Sequence, residues 1–196
     1  MKLPESKFKL TLLVTLVAFL VAISVCQVFE WMGFPEQDQV RMFKAFAADF
    51  FRRFPADVRK LSFLRAVNLH INFILAVPLT VLVAPAMEEL IFRGALYRLP
   101  SKLASDMRTP EKFVASASLA FAVLSSALFS FAHYVAFEEV FAGRGFVLRP
   151  ISNAFFALFL LGVVWCWLYH RTKSIWCNML SHALFNVVNL ALALLI

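Results

Sequence analysis

Runs of apolar residues alternate with short charged segments along this chain. The ranges 10–29, 66–87, 113–137, 151–169 and 174–196 contain no Asp, Glu, Lys or Arg. Each is near or above the ~20 residues that a membrane-spanning helix needs. The pattern predicts five to six membrane segments in an all-α polytopic transmembrane helix bundle. Between the first two runs, Val40, Phe43, Phe46, Ala47, Phe50, Phe51 and Phe54 recur at helical spacing among Arg41, Lys44, Arg52 and Arg53. That pattern predicts an amphipathic helix lying in the interface. The expected organisation is 1–65, an N-terminal transmembrane helix with the interfacial helix, and 66–196, a membrane core. The run containing Pro85 is too long for one straight span: 66–97 would reach about 48 Å against a hydrocarbon core of about 30 Å. The reading is that Pro85 breaks it, with a span ending near Ala84 and a short returning helix from Ala86 to Leu99. The segment 137–150, with Gly143 and Gly145, reads as a loop.

Composition agrees with lipid as the solvent. Of 196 residues, 62% are apolar and 16% charged, with 23 Phe, so a soluble globule would lack polar surface. The segments between runs leave no room for a domain outside the membrane, so any chemistry belongs among the helices. The net charge of +7 suits anionic headgroups, and no basic groove interleaved with aromatics points to nucleic acid. Lys2, Lys7 and Lys9 precede the first run as in a signal peptide, but the run is longer than a signal core and is read as a permanent helix. Cys26, Cys166 and Cys177 lie unpaired in apolar runs and read as small hydrophobes.

Against this background a few polar residues stand out. Glu88, Glu89 and Arg93 are embedded among apolar neighbours, where each charge costs on the order of 2.5–3.5 kcal/mol on insertion scales. Glu89 and Arg93 are four apart and pair along one helix face, which leaves Glu88 turned about 100° away and without that cation. A carboxylate so placed is a candidate general base or acid; a protonated, hydrogen-bonded packing residue is the plainer alternative. His133 shares a face with Phe129, and His182 stacks over Asn186, with Asn189 near the next turn. Taken singly, these read as interhelical hydrogen bonding. Ser125, Ser126 and Ser130 read as small packing residues, and His70 and His170 as packing or interface residues.

Together the clusters resemble the CPBP group of intramembrane proteases, which includes the CAAX prenyl endopeptidase and bacterial Abi-type proteins. That family's pattern is two glutamates followed by three residues and an arginine, then Phe-x-x-x-His, then His-x-x-x-Asn, each on its own membrane helix. Here these are Glu88-Glu89-Leu-Ile-Phe-Arg93, Phe129-Ser-Phe-Ala-His133 and His182-Ala-Leu-Phe-Asn186, in that order. The likeness covers roughly 80–190, with similar surroundings from Val83-Ala84-Pro85 to Trp167-Leu-Tyr169. It implies an intramembrane endopeptidase acting on a membrane-bound or lipid-anchored peptide or protein, in the plasma (inner) membrane of a bacterium. It also implies roles: Glu88 as general base, His133 holding the water or relaying protons, and His182 with Asn186 donating to the oxyanion. Glu89 with Arg93 is then a supporting pair and Phe129 a wall.

No cofactor is expected. The alternative is a zinc ion on Glu88, His133 and His182, since three such ligands and a water form a catalytic site; the family was long described as metalloproteases before a metal-free, glutamate-dependent mechanism was favoured. Two other function classes stay open: a non-catalytic scaffold or immunity protein of the same fold, and a small transporter or proton channel using Glu88 and the histidines as a relay. With the break at Pro85, most Lys and Arg fall on the face opposite the cavity. The positive-inside rule then places the mouth outside the cytoplasm.

Overall fold

In the computed structural model the chain is a bundle of helices; the structure describes residues 4–36, 38–106, 110–135 and 147–195, together with Gly143 and Gly145. Helix α1 (Glu5–Trp31) leads to α2 (Asp38–Lys60) and the short α3 (Phe63–Leu69). A long α4 (71–106) follows, then α5 (Glu111–Ala132), α6 (Ala154–Thr172) and α7 (Ile175–Leu195). Five helices are long and apolar enough to cross a membrane: α1, the section Ile74–Leu103 of α4, α5, α6 and α7. Much of the loop expected at 137–150, and the side chains of Val40, Phe43 and Phe46, lie outside the described residues.

The core is built on α6, which packs against α1 on one side and α5 on the other. Leu161, Trp165 and Leu168 of α6 are buried with Val14, Ala18 and Ala22 of α1, Phe92 of α4 and Phe129 of α5. The α5–α6 approach is close because of Gly162, where an added Cβ would come within 2.7 Å of Ser126 Cβ. Leu13, Leu16 and Leu20 of α1 point outward and are exposed, as a lipid-facing stripe should be. Lys173, in the left-handed conformation, closes α6, and its N–H reaches Tyr169 O at 2.7 Å. After that two-residue turn α7 runs back antiparallel beside α6.

Pro85 does not break the helix, contrary to the sequence expectation. Residues 74–103 form one 30-residue span, longer than the ~30 Å hydrocarbon core at 1.5 Å per residue, so α4 tilts or projects. A proline ring clashes with the carbonyl four residues back and offers no N–H. Here the backbone loosens instead of ending: Leu79–Val83 and Glu89–Arg98 are wound as wider π-helical turns, with α-helical turns between and around them.

Keeping α4 whole changes which segments share an end of the bundle. The N–H of Asn153 bonds Pro35 O at 2.9 Å, and Phe29 stacks on Phe156 at 4.2 Å. Tyr134 Oη meets Ser152 Oγ at 2.7 Å, so the end of α1, the end of α5 and the start of α6 lie together. The interfacial helix α2 joins that end, packing on α3, α4 and α7, with His70 Nε2 2.9 Å from Asp57 Oδ2 and against Phe50 and Phe54. Arg52, Arg53, Arg59, Lys60 and Arg65 therefore sit at the His133 end. Lys7, Lys9, Arg98, Lys102, Arg171 and Lys173 sit at the other. With cations at both ends, the charge bias no longer selects an orientation.

Candidate active site

Four helices build one buried cluster at mid-bundle. Glu89 and Arg93 of α4 are fully buried, as are Phe129 of α5, Trp165 of α6 and Asn178 of α7, while His182 of α7 is 4% exposed. A buried carboxylate in a bilayer must be matched by charge and hydrogen bonds, and Glu89 has both. Arg93 Nη1 lies 3.2 Å from Glu89 Oε1, and Asn178 donates from Nδ2 to Oε2 at 3.2 Å. His182 Nδ1 lies 3.0 Å from Oε1. The Arg93 contact lacks the alignment of a hydrogen bond. Much of that cation's environment is aromatic: its guanidinium carbon lies 4.4 Å from the Phe129 ring centre and 5.1 Å from that of Trp165.

These contacts fix His182. An ionised Glu89 only accepts, so Nδ1 of His182 carries a proton and Nε2 is directed elsewhere. The indole of Trp165 stacks on the imidazole at 4.1 Å and 24°. Trp165 is held in turn, donating from Nε1 to Ser181 Oγ at 3.1 Å, and Ser181 Oγ lies 2.8 Å from Thr15 Oγ1 of α1. Thr15 also bonds its own Thr11 O at 2.8 Å. Each hydroxyl has one proton, so Ser181 is the donor to Thr15 and the chain runs from Trp165 to the backbone of α1.

Glu88 differs from its neighbour. Its side chain is 27% exposed, and Oε2 lies 3.6 Å from His182 Nε2, beyond a hydrogen bond but within ion-pair range. Glu89 thus grips one side of the imidazole and Glu88 faces the other. Two carboxylates and one guanidinium leave one negative charge to be matched, and a proton on His182 or on Glu88 matches it.

His133 stands at the edge of this group. Its Nδ1 lies 2.9 Å from Phe129 O, one turn back, which leaves Nε2 as its outward nitrogen. The Phe129 ring lies 4.7 Å from the His133 ring and 6.0 Å from that of His182, edge-on to both. Asn186, one turn beyond His182, donates from Nδ2 to Thr80 O of α4 at 2.9 Å. The serines of α5 are satisfied by backbone: Ser125 by Phe92 O, Ser126 by Ala122 O and Ser130 by Phe155 O, each at 2.6 Å.

The structure therefore assembles Glu88, Glu89, Arg93, Phe129 and His182, with His133 adjoining through Phe129 and Asn186 one turn away. Three contributors were missed from the sequence. Asn178 had a signal, since it lies four residues before His182 and eight before Asn186, on the same face of α7. Trp165 and Ser181 had none, because an apolar run gives no reason to single out one aromatic or one small hydroxyl.

The zinc alternative meets a poor fit. Among the described residues, no group of three His, Cys, Asp or Glu side chains is close enough to hold a metal ion. His182 turns Nδ1 to Glu89, and Phe129 packs against the rings of both His133 and His182.

A family model described as "Type II CAAX prenyl endopeptidase Rce1-like" matches residues 70–188, which takes in α4 to α7 as far as Val188 and all the residues of the cluster except Thr11 and Thr15 of α1. No match was found among curated proteins or among solved structures.

Proposed function

This chain belongs to the Rce1-like family of type II CAAX prenyl endopeptidases, and on that premise we propose that it hydrolyses a peptide bond in a prenylated, membrane-anchored substrate using Glu88 and His182. It is an integral membrane protein and an endopeptidase of the CAAX type. Its likeness to bacterial Abi-type proteins supports the inner (plasma) membrane of a bacterium as its location.

The observation that carries the mechanism is the placement of one imidazole between two glutamates, 3.0 Å from Glu89 on Nδ1 and 3.6 Å from Glu88 on Nε2. In the resting site Glu88 is a carboxylate and His182 an imidazolium, so that with Glu89 and Arg93 the charges balance. A water held by Glu88 and by Nε2 of His133 attacks the scissile carbonyl while Glu88 takes its proton. The carbonyl π bond opens and its oxygen becomes an oxyanion. As Glu88 turns neutral, its pull on the Nε2 proton of His182 weakens, and that N–H swings its hydrogen bond to the oxyanion. The second N–H of Asn186 adds to it. The tetrahedral intermediate then reforms the carbonyl and breaks the C–N bond, with Glu88 returning the proton to the leaving amine. Glu89 accepts from Nδ1 throughout and keeps the imidazole charged and in plane. No step in this sequence calls on a metal.

The test is release of the C-terminal fragment from a farnesylated peptide by the purified protein in lipid discs. Wild type is expected to cleave it with or without a strong chelator, and Glu88→Gln is expected to be inactive. Wild-type turnover by Glu88→Gln would remove Glu88 from the mechanism. Loss of activity under chelation with recovery on zinc would replace the metal-free version.

A further inference from the structure

Pro85 leaves a carbonyl of α4 without its backbone partner. Over Leu79–Val83 the helix is wound with bonds five residues apart, and the N–H of Ala84 reaches Leu79 O. In that register the next donor belongs to residue 85 and the next acceptor is Thr80 O. Proline has no N–H. An orphaned carbonyl at membrane depth is costly, and helices that tolerate proline there find a substitute donor. Asn186 supplies that donor: its Nδ2 lies 2.9 Å from Thr80 O. The two residues are 106 positions apart, so the bond also ties α4 to α7.

We propose that the Asn186 side chain takes the place of the N–H missing at Pro85, and that this bond is the clamp holding the Glu88 turn of α4 in register with the His182 turn of α7. Pro85 lies three residues before Glu88 and Asn186 four after His182, so the bond closes beside the pair whose separation matters. A helix that was regular at this point would have no free carbonyl for α7 to grip. Asn189, further along α7, offers the contrast. Its Nδ2 bonds Phe185 O of its own helix at 3.0 Å and, among the described residues, joins no other helix. This inference goes beyond the peptidase reading and stands on the backbone of α4.

The experiment is a double-mutant cycle of Pro85→Ala and Asn186→Ala in lipid discs, read by thermal midpoint and by kcat and KM on the farnesylated peptide. In the native background, Asn186→Ala lowers the midpoint by about 2–4 °C for each lost hydrogen-bond equivalent, lowers kcat, and leaves KM unchanged. With alanine at 85 an N–H is available to Thr80 O. There the midpoint loss disappears, while the part of the kcat loss that belongs to the oxyanion contact of Asn186 remains. Asn189→Ala moves neither quantity. Equal midpoint losses in both backgrounds would overturn the clamp. A second arm needs no change at Pro85: Asn186→Ala should speed amide hydrogen exchange over 81–88, and unchanged exchange there would also overturn it. If no form of the protein cleaves the peptide, the peptidase reading fails, while the midpoints and the exchange still decide the clamp.

Discussion

Helices α4 and α6 lie side by side in this bundle and solve the problem of a membrane interior in opposite ways. From Ala154 to Thr172, α6 is regular; its apolar side chains Leu161, Trp165 and Leu168 form the packing centre. By contrast, α4 carries Pro78, Pro85 and Pro100, is wound alternately in α and π turns, and holds Glu88, Glu89 and Arg93. The regular helix gives the bundle its shape, and the irregular one gives it charge and a loosened backbone that other helices can bond. In the proposed mechanism, reactivity resides where the helix ladder is incomplete, braced by a neighbour whose ladder is whole.

Four substitutions bear on that contrast. The largest effect is expected at Glu88, the exposed member of the glutamate pair: Glu88→Gln should reduce turnover by about 10²–10⁴-fold with an unchanged thermal midpoint, as measured on the same preparation. Unaltered turnover would make the two glutamates equivalent and dissolve the distinction. Next is Glu89→Ala, which leaves the Arg93 cation buried without its carboxylate and should destabilise the bundle by about 3–5 kcal/mol, seen in denaturant or thermal titration. A neutral result would mean that the aromatic rings alone satisfy Arg93. On the regular side, Gly162→Ala drives a methyl group into Ser126 and should cost about 1–3 kcal/mol; a silent substitution would show that α5 and α6 are free to separate. The smallest effect belongs to Thr15→Val, which removes the last side-chain link holding Trp165 through Ser181. A loss of about 0.6–1.7 kcal/mol with a modest fall in turnover would show α1 acting on His182 at a distance. No change in turnover would confine α1 to packing.

Much of this was legible in the sequence because the membrane makes polar residues conspicuous. Five charge-free runs gave the five spans. The pairing of Glu89 with Arg93, and the turning away of Glu88, followed from helical spacing alone, and the structure places those side chains accordingly. The continuity of α4 was not legible. Whether a proline ends a helix or is absorbed depends on a donor for the carbonyl it strands, and that donor, Asn186, lies 106 residues away. The same holds for Trp165 and Ser181, whose importance lies in contacts between helices and not in their own neighbourhoods. The ends of the bundle were misassigned for one reason only, that a break at Pro85 reverses the direction of the chain before it.

The bond between Thr15 and Ser181 joins residues 166 positions apart, on the first helix and the last. Chains are made from the N-terminus, so Thr15, Glu89 and Trp165 all precede Asn178, Ser181 and His182 in synthesis. Until those last three are made, Trp165 has no imidazole to stack on, and Glu89 has only Arg93. The proposed site is therefore incomplete until α7 has packed against α1, α4 and α6, which makes its assembly a long-range event in folding and not a local one.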